Sequence, residues 1–152
     1  MGFRLQRGLG VGRYEVLEDV ALADCALEIE GRDLNDLFET AAGALAELMV
    51  DPATVETSVE RRITLSSDAV DSLFYDWLSE LIYRKDRDQE VFPQVQVRIS
   101  GDSPFRLEAD VHGGVIDRTR TALRADPKAV TFHRFAVTAV KGGWRAQLVI
   151  DI

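Results

Sequence analysis

The first clear pattern begins at Asp24, where Cys25, Leu27 and Ile29 alternate with Asp24, Ala26, Glu28 and Glu30. Period-two alternation predicts a strand with one buried face. Gly31 and Arg32 offer a turn, and Asp33 is suited to N-cap a helix in which Leu34, Leu37, Phe38, Ala41, Ala42, Leu45, Leu48 and Met49 recur three and four apart. Asp51-Pro52 ends that helix, because the residue before a proline is pushed out of helical conformation. Residues 55–65 read as a strand. Ser66 or Ser67 then caps a second helix carrying Val70, Leu73, Phe74, Trp77, Leu78, Leu81 and Ile82 on one stripe, and the charged run 84–90 leaves it.

Alternation returns over residues 92–99 and 105–112, with 101–104 between them as a hairpin connection. Two further strands, 129–140 and 144–151, flank Gly142-Gly143, a pair suited to the positive φ angles of a tight turn. Residues 113–127 have no period and read as a surface loop. The order strand, helix, strand, helix, then several strands predicts an α+β two-layer sandwich. Its sheet is mostly antiparallel, both helices pack on one face, and the opposite face is left for a partner or a second sheet. No repeat or low-complexity tract interrupts the series. Residues 14–152 read as one domain and 1–13 as a flexible leader. The leader's Gly8, Gly10 and Gly12 lack the preceding strand and following Lys-Ser/Thr of a phosphate-binding loop.

Composition narrows the function classes. A chain of 152 residues with 46% hydrophobic content builds one core, not two. Its formal net charge of -8 repels phosphate backbones, so direct nucleic-acid binding is not expected. The single cysteine, Cys25, excludes an internal disulfide and a multi-cysteine zinc cage, and fits a reducing compartment. No apolar run nears the roughly 20 residues of a membrane span, and no secretory block follows the first arginines. A soluble cytoplasmic protein without membrane attachment is expected.

Asp24 opens the first alternating strand and Asp151 closes the last, both on the polar parity. Asp151 is followed by Ile152, whose α-carboxylate is ionised at neutral pH. If those strands are neighbours, three anionic groups gather and repel. A hard divalent cation that takes oxygen ligands would hold them, calcium foremost, with magnesium or manganese as alternatives. Spacing alone favours the plainer reading of two solvated aspartates and a free terminus. His133 shares the parity of Phe135 and Val137 and reads as a structural histidine at the sheet surface ahead of a ligand or proton shuttle. His112 follows Glu108 and Asp110 and reads as solvated. Cys25 has the parity of Leu27 and Ile29 and reads as an inert core thiol, and Trp77 as a core contact. Glu18, Asp19, Asp24, Glu28 and Glu30 form either a negative surface for a basic partner or a solvating face.

Several segments together resemble one family. Val16-Leu17-Glu18, Ala23-Asp24, Leu27 and Gly31 are similar to the opening strand of archeases, whose motif is a His-Thr-Ala-Asp run before a short strand ending in glycine. Leu37-Phe38-Glu39-Thr40-Ala41-Ala42 resembles the helix that follows in that family. Tyr75-Asp76-Trp77-Leu78-Ser79-Glu80-Leu81 resembles its Tyr-Asp-Trp-Leu-Asn-Glu-Leu run. Lys128-Ala129-Val130-Thr131-Phe132-His133 resembles Lys-Ala-Val-Thr-Tyr-His, and Trp144-Arg145-Ala146 through Asp151-Ile152 resembles the terminal Trp-Arg-Ala to Asp-Ile.

The resemblance implies an α+β module related to strand-helix-strand-strand domains, one unit set into another. It also implies a divalent metal bound by Asp24, Asp151 and the carboxylate of Ile152. The implied function is that of an accessory factor, not an enzyme, which activates an RtcB-type RNA ligase in tRNA splicing and RNA repair. It would promote GTP-dependent guanylylation of the ligase's active-site histidine and so multiple turnover. Charge complementarity adds the expectation that the acidic metal-bearing edge docks on the ligase's basic mouth and helps position a metal or the nucleotide phosphates there. Two departures stand out. Ala21 and Leu22 replace the usual His and Thr, and Gly114 and Thr121 stand where Glu and His are usual, although Gly113, Asp117 and Arg120 are kept. Two other readings stay open: a metal-dependent hydrolase in which His133 moves protons, and a metal-independent, chaperone-like protein-binding module.

Overall fold

The computed structural model describes residues 2–6, 12–17 and 24–152. In chain order the elements are β1 (Gly2–Gln6), β2 (Arg13–Leu17), β3 (Asp24–Gly31), α1 (Leu34–Met49), a short 3-10 turn (Pro52–Thr54), β4 (Val59–Ser67), α2 (Val70–Asp88), β5 (Glu90–Gly101), β6 (Phe105–Val115), β7 (Ala129–Val140) and β8 (Gly143–Asp151). Every pairing is antiparallel, and the α+β class expected from the sequence is what forms. The strands divide between two sheets, one of order β1-β2-β3-β8-β7 and one of order β4-β6-β5. Helix α1 packs on β3, β8 and β5, and α2 on β7, β4, β5 and β6. Within the stretch expected as a leader, Gly2–Gln6 and Arg13 are paired strand, because alternating residues there extend the larger sheet. Residues 1 and 7–11, with Gly8 and Gly10, lie outside the described residues. No helix among the described residues is long and apolar enough to cross a membrane.

Helix α1 starts as its sequence predicts. The Asp33 carboxylate accepts the Asp36 N–H at 2.8 Å, and the Asp36 carboxylate accepts the Arg32 N–H at 2.8 Å. The first bond satisfies a donor that the helix start would leave unpaired, and the second ties the preceding turn to the helix. Helix α2 differs from expectation. Ser66 and Ser67 are held in the β4–β6 ladder opposite Arg106 and Phe105, so the helix begins after Ala69 without a side-chain cap. The helix also runs through the charged stretch to Asp88, because Lys85 faces inward: its ammonium bonds Asp126 and the Pro127 carbonyl, the latter at 2.8 Å. Burial works against that charge, but the hydrogen bonds it donates to Asp126 and Asp86 outweigh it and hold the Lys85 pKa above its usual value. This contact pins the segment after β6, expected as a surface loop, and a Val50–Leu123 bridge holds its middle.

The core lies between the helices and the inner sheet faces. Trp77 is fully buried, and its indole N–H donates to the Phe38 carbonyl at 3.0 Å, tying α2 to α1. At the β7–β8 hairpin the two-residue loop is Lys141-Gly142, one residue earlier than the glycine pair suggests, with Gly142 at φ 83°. Gly143 is needed for a different reason: a Cβ there would lie 2.1 Å from the Gly31 carbonyl oxygen.

Helix α1 also covers the outer edge of β5. Glu39 accepts the Val97 N–H at 2.8 Å and Asn35 the Ile99 N–H at 2.9 Å. Side chains four apart on a helix and alternate residues on a strand have similar spacing, so one pair matches the other. Burial is the main cause that raises the Glu39 pKa, with Asp36 and Asp33 adding to it and the Val97 N–H opposing it. A carboxylate with a raised folded pKa binds its proton more tightly in the folded state. Its contribution to stability therefore declines as pH rises from about 4 through the raised value. Glu39→Gln keeps the acceptor and removes the titration. In urea unfolding, the stability of the variant relative to wild type is expected to rise over that window, and a difference independent of pH would refute this account.

Candidate functional site

The register of β3 on β8 sets Asp24 directly opposite Asp151, with Cys25 opposite Ile150 and Ala26 opposite Val149. Strands β3 and β8, far apart in the sequence, are neighbours in one sheet, as the aspartate reading requires. Directly opposed residues point to the same face with Cβ atoms roughly 5 Å apart, and like charges so placed repel. Both aspartates and Ile152 are half-buried. Strand β8 is central: Asp151 also pairs with Ala129 of β7, and the Lys128 N–H donates to the Asp151 carbonyl at 2.7 Å. Among the described residues no three His, Cys, Asp or Glu side chains are grouped to hold a metal, so Asp24 and Asp151 form an all-oxygen pair that needs further donors. Oxygen pairs of this kind suit hard cations and not thiolate- or imidazole-seeking ones.

Further along the same face the acidic surface is neutralised. Arg13 meets Glu30 at 2.6 Å, and Arg145 approaches Glu30 at 3.6 Å and Glu28 at 3.9 Å. Exposed pairs of this kind add little stability. Of the five acidic residues singled out in the sequence, Glu28 and Glu30 are thus engaged by arginines. Glu18, Asp19, Ala21 and Leu22 lie outside the described residues.

Cys25 is buried, and burial pushes its thiol pKa up, as for an inert core thiol. His112 is half-buried beside Glu60, with Nδ1 3.4 Å from the carboxylate, instead of fully solvated. His133 is exposed, and its expected parity is broken. The β7–β8 register runs from Thr131 opposite Val149 to Ala136 opposite Gln147, so four residues bulge opposite Leu148 alone. Arg134 takes φ 54° there. Strict alternation places Phe132 and Phe135 on opposite faces, yet both rings pack on Tyr75. Phe132 stacks at 4.6 Å and 7°, and Phe135 meets it edge-on at 5.9 Å. Phe132 is nonetheless 73% exposed. The three-residue spacing of these phenylalanines inside a strand was the available signal for the bulge.

Residues 14–152 match the model of the Archease protein family. The chain is similar to the protein archease of Methanosarcina mazei, 32% identical over 142 residues that cover 92% of this chain and 96% of that one. It is also similar to the protein archease of Methanothermobacter thermautotrophicus, 34% identical over 131 residues covering 86% and 93% respectively. Among solved structures, the solution structure of Methanobacterium thermoautotrophicum protein 1598 superposes with a TM-score of 0.75 at 31% identity, covering 91% of this chain and 98% of that one.

Proposed function

Because the chain belongs to the archease family, we propose that it is a non-catalytic accessory factor of an RtcB-type RNA ligase. It promotes the ligase's GTP-dependent guanylylation and multiple turnover in tRNA splicing and RNA repair. The observation that supports this reading is the cross-strand pair of Asp24 and Asp151. Asp24, Asp151 and the main-chain carboxylate of Ile152 would hold a divalent cation, calcium first, magnesium or manganese next. Bound there, the cation supplies positive charge toward phosphate oxygens.

The chain's own contribution is placement. Strand β8, gripped by β3 and β7, fixes the direction of the Asp151 carboxylate, and the Lys128 amide holds the last peptide against it. The sequence has Ala21 where an imidazole is usual in the family, which keeps the donor set purely oxygen. A carboxylate end of this kind complements the basic, phosphate-binding mouth expected of an RNA ligase.

The test is reconstitution of the ligase from the same source with GTP, a divalent ion and RNA bearing ligatable ends, with and without this protein. A higher guanylylated fraction and more ligations per ligase molecule are expected on its addition. Unchanged values for both would remove the helper role.

A further inference from the structure

A full positive charge is buried in the last turn of α2, where Lys85 is 5% exposed. Its ammonium has three N–H donors and meets three acceptors: the Asp86 carboxylate at 2.6 Å, the Asp126 carboxylate, and the Pro127 carbonyl at 2.8 Å. Stability alone does not call for a lysine here. A buried ion pair contributes no more than apolar side chains of similar volume, and often less. Asp86 and Asp126 are more than half exposed, so water would serve them if the ammonium were gone. The contact that needs a long, charged donor is the one to Pro127.

The Pro127 carbonyl and the Lys128 N–H belong to one peptide unit. That unit is trans, since Ser103-Pro104 is the only cis bond among the described residues, so its oxygen and its N–H point in opposite directions. The oxygen accepts from Lys85, and the N–H donates to the Asp151 carbonyl at 2.7 Å. That carbonyl in turn belongs to the peptide joining Asp151 to Ile152. A continuous line of hydrogen bonds thus runs from the α2 ammonium, through one peptide, to the end of β8. A cation on the oxygen side polarises the peptide and strengthens the bond that its N–H donates. The approach to this peptide is fixed as well: the Arg124 N–H donates to the Met49 carbonyl and the Ala125 N–H to the Leu48 carbonyl, each at 2.8 Å, and Pro127 has a restricted φ.

We infer that Lys85 is a positioning residue for the cation site: through the 127–128 peptide it fixes the end of β8, and with it the Asp151 carboxylate opposite Asp24. This rests on the cation-site reading above. Lys85 is not a ligand and does not touch the ion. It acts as an outer partner, and loss of such partners lowers metal affinity roughly 10–100-fold. Charge and positioning make opposite predictions. Removing a positive charge near a cation site tightens cation binding, whereas loosening the end of β8 weakens it.

The experiment titrates calcium, then magnesium and manganese, into wild type, Lys85→Met, Lys85→Gln and Arg87→Met by isothermal titration calorimetry, and follows amide hydrogen exchange by NMR. Methionine fills the lysine's volume without a donor, and glutamine keeps one neutral donor. Arg87→Met removes an exposed charge from the same helix end, where its partners are Asp88 and Tyr83. Lys85→Met is expected to bind calcium roughly 10–100-fold more weakly, Lys85→Gln to fall between it and wild type, and Arg87→Met to bind as wild type or slightly tighter. The Lys128 amide should exchange faster in Lys85→Met while amides of α1 keep their protection, and bound calcium should slow it further in wild type. Equal or tighter calcium binding by both Lys85 variants would overturn the positioning role and leave the cation site standing. Weaker binding with an unchanged Lys128 amide would refute the route through the peptide. Should the Lys85 variants fail to fold, wild type decides: a Lys128 amide that exchanges as fast as an unstructured one, or ignores the bound ion, refutes the inference. A wild type that takes up none of the three ions removes the cation site and the positioning role together.

Discussion

Trp77→Ala is expected to destabilise the protein by about 3–5 kcal/mol, the range for removing a large buried aromatic side chain. Trp77 heads the largest fully buried side chains, and the indole N–H that bonds the Phe38 carbonyl is lost with it. The two helices and the sheet faces around it belong to one close-packed cluster, so the vacated space can close only by shifting backbone. Urea unfolding followed by far-UV circular dichroism would measure the loss. A companion Phe132→Ser variant, which alters an exposed ring, should cost well under half as much. If the two cost the same, the assignment of core and surface is wrong. Trp77→Phe separates the contributions, since it keeps most of the buried area and removes only the donor.

The second large effect is functional. Asp24→Asn and Asp151→Asn are each expected to lower cation-dependent activation of the ligase roughly 100-fold or more, since even supporting residues around metal ligands cost 10–100-fold. The same changes should leave folding stability equal or slightly higher, because each removes repulsion between directly opposed carboxylates. Loss of function with gain of stability distinguishes a ligand pair from two residues that merely support the sheet. Isothermal titration with calcium, magnesium and manganese should show heat for wild type only. Heat of equal size from both variants, or full activation by them, would dissolve the proposed metal site.

Much of this fold was readable because alternation and helical spacing mark the buried faces directly. The span from Asp24 to Met49 shows period two giving way to spacings of three and four, and β3, the Asp33 cap and α1 follow that order. The aspartate pair was readable as parity at two sequence positions, but its formation depended on which strands became neighbours, and strand order is not written in local pattern. The failures have physical causes. Ser66 and Ser67 are good caps in isolation, but the ladder with Phe105 and Arg106 claimed their backbone first. Lys85 looked like solvent-facing charge until Asp126 and the Pro127 carbonyl, some forty residues away, gave it buried acceptors. A second sheet was left open by the sequence, but which strands it would take was not readable, because the pattern of β5 does not say whether its free edge meets another strand or a helix.

That edge has a consequence for assembly. With Asn35 and Glu39 occupying the Ile99 and Val97 donors, the smaller sheet cannot recruit a further strand on the β5 side. Its other margin, β4, carries the exposed charges Glu60, Arg61 and Arg62, which discourage templated stacking of one molecule on the next. The smaller sheet is thereby closed to edge-to-edge growth in both directions.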